Sequence, residues 1–458
     1  MSLDIASSLD SPVVRVLLVA LGAALLYTLV RELRKIPAKL MVLMAAAFLD
    51  MVGLLIIIPL LPFYARRLGG DGFDLGPLHL GIGTVVALLV STFTVAQLLS
   101  APVWGRFSDR FGRRPALLVA LGASAIAYVI FGFASSLTLL FISRIVQGAG
   151  GGTVGVIQAY VADSVEPEQR ARGLGWLSAA TNLGVALGPV LGSFAITLGN
   201  RVCNLQNGES ATLHSIGHAM PGLLAALLCL VNMAFAWRYL RESRQVGEHH
   251  AAKPRTSREA VIHVVQHSGE PASRLIWIYA IAMGAFQGVT AVLALFLADR
   301  FQVTEQTIGY FFMYIGSISV FARVLLLGKA VDRLGEPRLS RIGVILLAVG
   351  LGAMPLARTL PVLALAVAFI PLGTAFLFPC VTALLSRVIS PRERGLYMGV
   401  QQSFGGVARI IAPLWAGFAY DHLGIGVPFY TSAAVVLATL LLGVGLEHHV
   451  RRDTAAAR

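Results

Sequence analysis

The sequence predicts an all-α membrane protein built of two pseudo-symmetric six-helix bundles, and three observations support this. Of its 458 residues, 57% are hydrophobic and only 13% are charged, whereas soluble domains carry about 25% charged residues. Apolar runs of about 20 residues, the length of helix that crosses a bilayer, recur along nearly the whole chain. The motifs between these runs repeat once, with an offset of about half the chain length.

Twelve apolar runs are long enough to span a bilayer, and we number them spans 1 to 12. Helices suit these runs because a helix satisfies its own backbone groups in lipid. The predicted spans lie at about 40–64, 78–103, 115–134, 137–162, 173–198, 219–238, 275–298, 306–328, 341–357, 361–386, 395–420 and 426–446.

An internal repeat relates the first six spans to the last six. The segment Gly105–Arg114 after span 2 matches Gly328–Glu336 after span 8, at an offset of 223. A second set after spans 4 and 10 matches at an offset of 224: Pro167, Arg170, Gly175 and Pro189 correspond to Pro391, Arg394, Gly399 and Pro413.

Two unrelated motifs with nearly one offset predict two halves, at 38–241 and 273–447. The polar stretch 242–272 between them is rich in His, Arg and Ser, and we interpret it as a linker. Residues 448–458 form a tail. The N-terminal 1–37 contain one more apolar segment, 13–30, for which an extra span and an interfacial helix are the two interpretations. Its basic flank is C-terminal, which argues against a signal peptide.

The distribution of basic residues predicts the orientation. The net charge is +13. With the start of span 1 in the cytoplasm, 27 Lys and Arg lie on the cytoplasmic side and five on the other, as the positive-inside rule expects. The chain is therefore predicted to be a multi-pass protein of the cell membrane, with its central loop and C-terminus in the cytoplasm. No basic stripe is interleaved with stacking aromatics, so nucleic acid is not an expected partner.

The sequence offers little for a metal or a cofactor. The three cysteines are scattered without CxxC spacing, so we expect no disulfide framework. Cys203, His214 and His218 share the region after span 5, and the two histidines have i, i+4 spacing that could bind a transition metal. Isolated histidines are common, and we expect neither metal nor cofactor. Without a nucleophile–base pair or a nucleotide-binding loop, we do not expect an enzyme.

Four motifs carry a resemblance to a known family. The loop Gly105-x-x-x-Asp109-Arg110-x-Gly112-Arg113-Arg114 resembles the signature loop of the major facilitator superfamily. Arg144-x-x-Gln147-Gly148 resembles that family's motif associated with proton coupling. Gly184-x-x-x-Gly188-Pro189-x-x-Gly192 resembles its antiporter motif, with Ser193 at the usual final glycine. Asp50 followed by Pro59-Leu-Leu-Pro62 resembles the first helix of the tetracycline-efflux branch.

The resemblance covers about 38–446 and is to the twelve-span drug/proton antiporters. It implies the major facilitator fold, alternating access and transport of a small molecule with protons. It also implies a latch that holds the cytoplasmic side closed, formed by the signature loop with Asp163 as a partner. Residues 115–134 and 341–357 contain no Asp or Glu, unlike the tetracycline branch, which carries further membrane carboxylates.

Two charged residues lie at similar depth inside the predicted spans. Asp50 is about 16 Å from the inner end of span 1, and Arg144 is about 12 Å from the outer end of span 4, at 1.5 Å per residue. In a hydrocarbon core about 30 Å thick they could meet. We expect an Asp50–Arg144 pair that protonation of Asp50 weakens, with a purely structural ion pair as the alternative.

Other polar residues in the spans are candidates for the substrate cavity, although hydrogen bonding between helices is their commoner role. These candidates are Gln147, Gln158, Gln287 and Arg409. The hypothesis is proton-coupled efflux of small amphipathic compounds by a monomer in the lipid bilayer. The alternatives are a symporter or facilitator of one metabolite or ion, and a membrane receptor or assembly protein that does not transport.

Overall fold

The computed structural model describes residues 38–75, 78–151, 153–164, 170–205, 211–240, 242, 257–390 and 393–444. The N-terminal segment 13–30 lies outside these residues, as does the tail. Fifteen helices are described, together with one hairpin of the antiparallel strands β1 (Gly72–Leu75) and β2 (Leu78–Gly81). The helices are α1 (Ala38–Ile57), α2 (Leu61–Gly69), α3 (Ile82–Phe111), α4 (Arg113–Gly132), α5 (Leu137–Ala149), α6 (Thr153–Ser164), α7 (Arg170–Leu205), α8 (Ala211–Tyr239), α9 (Ser257–Gln266), α10 (Pro271–Phe301), α11 (Ile308–Phe321), α12 (Leu327–Ala353), α13 (Leu360–Val388), α14 (Arg394–His422) and α15 (Val427–Leu442).

All twelve predicted spans correspond to helices in the described part of the chain. Eight continuous stretches are long and apolar enough to cross a membrane, and one of them, Ile308–Leu356, contains both span 8 and span 9. Span 4 is α5 with α6, span 11 is α14 and span 12 is α15. The remaining spans are 1 (α1 with α2), 2 (α3), 3 (α4), 5 (α7), 6 (α8), 7 (α10) and 10 (α13).

Proline and glycine break two of the spans and mark the turn between two others. Span 1 is interrupted at 58–60, which includes Pro59, and span 4 is interrupted at Gly150 and Gly151, within its run of glycines. Spans 8 and 9 join at Gly335, whose φ of 75° lies in the region that favours glycine. A π-helical segment, Ala322–Leu326, joins α11 to α12, about midway between Ile308 and Gly335. Membrane helices tolerate such glycines and prolines, and the structure shows at which of them the helices end.

The two halves use the same packing arrangement. In the first half, span 5 presents Gly184 and Gly188 to span 1, close enough that an added Cβ would meet the Phe48 carbonyl oxygen at 2.7 Å and the Leu55 Cβ at 2.6 Å. In the second half, span 7 presents Gly284 and Gly288 to Ala408 and Ala412 of span 11. Small residues let membrane helices approach closely. Ala408 and Ala412 stand 224 residues after Gly184 and Gly188 (408 − 184; 412 − 188), which is the offset of the sequence repeat.

The predicted linker contains the short helix α9. Its Ala260 and Val264 are buried, with 3% and 0% of their surface exposed, and the helix packs against spans 7 and 11. The polar residues Arg258, Glu259 and Gln266 of the same helix are exposed. The linker therefore rests on the second half through one apolar stripe.

The helix directions define two faces of the molecule. The ends of spans 2 and 8 place Arg113 and Arg333 on one side, which we call the basic face. The hairpin of β1 and β2 lies between the end of span 1 and the start of span 2, on the side that we call the hairpin face.

Candidate functional site

A cluster of buried polar side chains lies inside the first half. Asp50 on span 1 is 6% exposed, and Thr153 is 4% exposed. The Thr153 hydroxyl donates to the Asp50 carboxylate at 2.8 Å. Thr153 is the first residue of α6, directly after the glycine break in span 4. The break thus delivers a hydrogen-bond donor to the only carboxylate among the described residues of this cluster.

Arg144 belongs to the same buried region but does not pair with Asp50. It is 2% exposed, and its guanidinium lies over the Phe131 ring at 5.6 Å from the centroid and near the Ser143 hydroxyl at 3.3 Å. Among the described residues it makes no ion pair, and its Nε has no hydrogen-bond partner. The expected Asp50–Arg144 pair is therefore wrong for this conformation, because equal depth does not make two side chains point at each other.

A hydrogen bond between Tyr128 and Gln147 lies between these two charges. The Gln147 side chain donates to the Tyr128 hydroxyl at 2.8 Å, and both residues are buried. The Tyr128 ring reaches span 1, where an added Cβ on Gly53 would meet it at 3.3 Å. Gly53 is about one helical turn from Asp50, and Gln147 is about one turn from Arg144. Tyr128 thus separates the carboxylate from the guanidinium.

The sequence analysis missed Tyr128 and Thr153 and, with them, Asn232. Asn232 is 0% exposed and donates to the backbone oxygen of Ala46 at 2.9 Å, so it joins span 6 to span 1. A search for every polar residue at mid-depth in a span would have found all three residues. Their partners depend on how each helix is rotated.

The two halves are bonded together on the hairpin face. Arg66, after span 1, donates to both carboxylate oxygens of Asp299 at the end of span 7, at 2.7 and 3.1 Å. The Tyr420 hydroxyl of span 11 donates to the same carboxylate at 2.6 Å. Arg67 pairs with Glu305 beside this network. These five side chains close the first half against the second.

A second contact on this face joins span 2 to span 11. The Asp421 carboxylate accepts the backbone N–H groups of Gly83 and Thr84 at 2.8 and 2.7 Å. Towards mid-depth, the Ser91 hydroxyl donates to the Ile410 carbonyl at 2.9 Å. Spans 2 and 11 are therefore in contact from the hairpin face to about the middle of the molecule.

Spans 5 and 8 also connect the two halves on the hairpin face, as spans 2 and 11 do. The Ser193 hydroxyl donates to the Glu305 backbone oxygen and accepts the Gly309 N–H, both at 2.9 Å. Ser193 is the residue that departs from the antiporter motif, and here it bridges the two halves. Nearer mid-depth, Arg323 donates to the Asn182 side-chain oxygen at 2.9 Å.

A cavity of about 510 Å³ lies between these contacts and the basic face, to which it extends. It separates span 2 from span 11 and also touches the break in span 4. The charged residues in its lining are Asp109, Arg113 and Arg409. Its other lining residues are Thr94, Gln97, Leu98, Ala101, Trp104, Gly105, Ser108, Gly151, Val156, Gln402, Ser403 and Gly406.

The candidate substrate residues are spread over this region. Arg409 lines the cavity and is half-buried. Gln147 is enclosed in the polar cluster, Gln158 is exposed on α6, and Gln287 is half-buried on span 7. These three glutamines are not part of the cavity lining. The structure thus brings one of the four candidates into the cavity.

The signature loop stays within the first half in this conformation. Asp109 is 67% exposed and pairs with Arg113 at 2.8 Å, so among the described residues it does not reach the second half. Gly112 has a φ of 105°, which turns the chain between spans 2 and 3. Glu242, after span 6, accepts the N–H of Arg113 at 2.8 Å and caps span 3.

The other predicted latch residues surround this turn. Arg114 donates to the Trp237 carbonyl, Arg110 lies over the Phe111 ring, and an added Cβ on Gly105 would meet nothing within 4 Å. The side chain of Asp163 lies outside the described part of the chain. The latch remains a prediction, since the basic face is open here.

The metal hypothesis receives no support from the described part of the chain, where no group of three or more His, Cys, Asp or Glu could hold a metal. His214 and His218 both lie on the helix α8, but the side chains of Cys203 and His214 are outside the described residues.

Comparison with known proteins agrees with this architecture. A family model described as Major Facilitator Superfamily matches residues 43–335 and 275–457. Multidrug resistance protein 2 of Bacillus subtilis (strain 168) is 26% identical over 421 residues, covering 91% of this chain and 96% of that protein. The class G tetracycline resistance protein of Vibrio anguillarum is 30% identical over 376 residues, covering 80% of this chain and 86% of that protein.

Solved transporter structures share the fold. The human organic anion transporter MFSD10 (TETRAN) superposes with a TM-score of 0.64 at 24% identity, covering 89% of this chain and 100% of that one. A D-xylose-proton symporter superposes with a TM-score of 0.68 at 16% identity, covering 89% of this chain and 97% of that one. At these identities the likeness shows the fold alone.

Proposed function

We propose that the chain, which belongs to the Major Facilitator Superfamily, exports small amphipathic compounds in exchange for protons. We also propose that its basic face lies in the cytoplasm of a cell membrane. The count of 27 basic residues on one side against five on the other supports this orientation. In this orientation the cavity opens to the cytoplasm, so the conformation described above would bind substrate from the cytoplasm.

Asp50 is the observation that carries the proton-coupling proposal. It is buried in a membrane span, and in the described part of the chain its carboxylate accepts one hydrogen bond and has no cationic partner. An isolated charge inside the membrane is costly and is functional by default. Proton binding would neutralise it, and proton release would restore the charge. We therefore assign the transported proton to Asp50.

The Thr153–Asp50 bond offers a route from protonation to movement. Thr153 follows the break in span 4, so this bond joins the second part of that span to span 1. A hydroxyl bonds more strongly to a carboxylate than to a neutral acid. Loss of the charge would loosen span 4 from span 1, and the exit of the proton would tighten it again.

The contacts on the hairpin face are the ones that must separate during transport. Opening towards the other side requires separation of Arg66 from Asp299 and of Asp421 from the start of span 2. The signature loop would then close the basic face, in the predicted latch around Asp109. Names of the relatives support the efflux direction, since two of them are a multidrug resistance and a tetracycline resistance protein.

Proton movement in proteoliposomes tests the proposal. The purified chain is reconstituted with a pH-sensitive dye in the lumen, and drugs of both charges are added under an imposed pH gradient. We expect an added substrate to move protons in the wild type and not in Asp50→Asn, which keeps an acceptor for Thr153 but cannot carry a proton. Glu259→Gln, an exposed carboxylate of α9, is the matched control and should resemble the wild type.

Two results would reject the proposal. If no compound moves protons in the wild type, proton coupling is wrong. If Asp50→Asn exchanges protons for substrate at the wild-type rate, Asp50 does not carry the proton.

A further inference from the structure

We propose that the substrate is an amphipathic organic anion and that Arg409 binds its charged group. This inference rests on the proposed function, whose substrate class it specifies. The observation is an arginine at mid-membrane depth that faces a cavity and has no partner among the residues that the structure describes. Arg409 is about 22 Å from the start of span 11 and about 20 Å from its end, at 1.5 Å per residue.

The guanidinium of Arg409 is uncompensated. Among the described residues it makes no hydrogen bond or ion pair, and its Nε is buried without a partner. An arginine does not lose its charge by deprotonation, so the cost of burying it has to be offset by an anion or by water. By contrast, Arg323 at similar depth in span 8 donates to the Asn182 oxygen.

The cavity around Arg409 carries a net positive charge. Of the three charged residues in the described part of its lining, Asp109 and Arg113 pair with each other at 2.8 Å. Arg409 is then left as one unpaired positive charge. A guanidinium can bind a carboxylate, sulfonate or phosphate with two parallel hydrogen bonds. A cationic compound would meet repulsion in the same place.

The position of Arg409 allows it to bind the charged group of a substrate that moves from one face of the protein to the other. The Ser91–Ile410 bond seals spans 2 and 11 immediately next to it, on the hairpin side. Towards the basic face, Gln402 and Gly406 follow on the same stripe of span 11, and the cavity opens. Arg409 therefore forms the end wall of the open cavity, and separation of Ser91 from Ile410 would expose it to the other side.

The rest of the lining fits the apolar part of such a compound. Leu98, Ala101, Trp104 and Val156 contribute apolar surface, and Gln97 and Gln402 contribute amides. A volume of about 510 Å³ is within the range of small-molecule sites, roughly 300–1,000 Å³. The occupant is thus a small aromatic or aliphatic body with one anionic group.

A matched pair of fluorescent probes tests the charge directly. 1-Pyrenebutyrate and 1-pyrenebutyl-trimethylammonium share the apolar body and differ in the sign of the charge. Binding to the full chain in lipid nanodiscs is followed by energy transfer from the tryptophans to pyrene, with empty nanodiscs as the blank. We expect the wild type to bind the carboxylate about tenfold or more tightly than the ammonium, the effect of one charged hydrogen-bond pair.

Three variants assign the preference to Arg409. Arg409→Gln should abolish the preference for the carboxylate, and Arg409→Lys should keep part of it, because the charge remains without the fork. Arg338→Gln, which removes an exposed arginine of the basic face, should bind as the wild type does. Equal binding of the two probes by the wild type, or a preference that survives in Arg409→Gln, would overturn the proposal. Unfolding temperatures of the variants show whether each is folded, and Arg409→Lys carries the test if Arg409→Gln is not.

The electrical response gives a second, independent readout. Exchange of one incoming proton for one outgoing monovalent anion moves two positive charges inward, whereas exchange for a monovalent cation moves none. An inside-negative potential set with valinomycin and potassium should therefore accelerate export of pyrenebutyrate. Export that ignores this potential would contradict the anion proposal. If pyrenebutyrate binds through Arg409 but no compound moves protons, the anion site stands and the proton coupling falls.

Discussion

The carboxylate of Asp421 accepts the backbone N–H of Thr84 at 2.7 Å, so the end of span 11 caps the start of span 2. The Thr84 hydroxyl donates to the same oxygen at 2.6 Å, and the Gly83 N–H donates to the other oxygen at 2.8 Å. A carboxylate at this position satisfies N–H groups that lack a partner in the helix and interacts favourably with the helix dipole. The two spans belong to different halves, so the cap depends on closure of the hairpin face.

Asp421→Asn should shift the protein towards the conformation open at the hairpin face. The amide keeps an acceptor oxygen but loses the charge, which is worth about 0.3–1 kcal/mol at a helix N-terminus. Spin labels are placed at Phe133 and Leu423, both exposed, in a variant whose native cysteines are replaced. We expect a larger population of long distances between the labels in Asp421→Asn than in the same labelled protein with Asp421. Asp74→Asn, whose carboxylate pairs with His79 inside the hairpin, is the control. Identical distance distributions in Asp421→Asn and the wild type would contradict the role of the cap.

The double variant with the charges of Arg66 and Asp299 exchanged should recover part of the transport rate that each single charge reversal removes. Each single reversal places two like charges about 3 Å apart, whereas the double variant Arg66→Asp, Asp299→Arg restores opposite charges. Both side chains are about one-third exposed, where ion pairs are worth about 0.2–1 kcal/mol. We expect each reversal to slow substrate transport several-fold in proteoliposomes and the double variant to recover more than half. Additive losses would show that the pair does not act in transport.

Gly188→Ala should destabilise the first half. An added Cβ would lie 2.6 Å from the Leu55 Cβ and 2.9 Å from the Val52 carbonyl oxygen. Overpacking of this kind costs about 1–3 kcal/mol, so the unfolding temperature in detergent should fall by several degrees. Gly399→Ala is the control, because nothing lies within 4 Å of an added Cβ there and alanine favours a helix. Equal unfolding temperatures for the two variants would mean that span 5 can move away from span 1 at little cost.

Ser193→Ala should loosen the start of span 8. The Gly309 N–H would lose its acceptor, and the Glu305 backbone oxygen would lose its donor. Hydrogen–deuterium exchange followed by mass spectrometry should show faster exchange over residues 306–312. Thr197→Val removes a hydroxyl that bonds only within its own helix and should leave that exchange unchanged. Slow exchange in both variants would indicate that Ser193 does not hold the two halves together.

The linker and the spans show how much of the fold follows from the sequence. Runs of about 20 apolar residues can only cross the bilayer as helices, so all twelve spans were predicted from length and composition. The small-residue face of Gly184 and Gly188 was also visible, since four-residue spacing places both on one side of a helix. The helix α9 was not predicted, because a single turn or two of apolar stripe in a polar segment gives a weak signal.

The candidate site was predicted in part. The sequence alone placed Asp50, Arg144 and Arg409 inside the predicted spans, because depth follows from position along a span. The tertiary structure decided what each one meets. Span 4 breaks before Thr153, and the Thr153 hydroxyl bonds to Asp50, whereas Arg144 in the first part of the span does not. Partners across a bundle depend on helix rotation and breaks, which local composition does not encode, and so the unpaired state of Arg409 became visible only once the helices were packed.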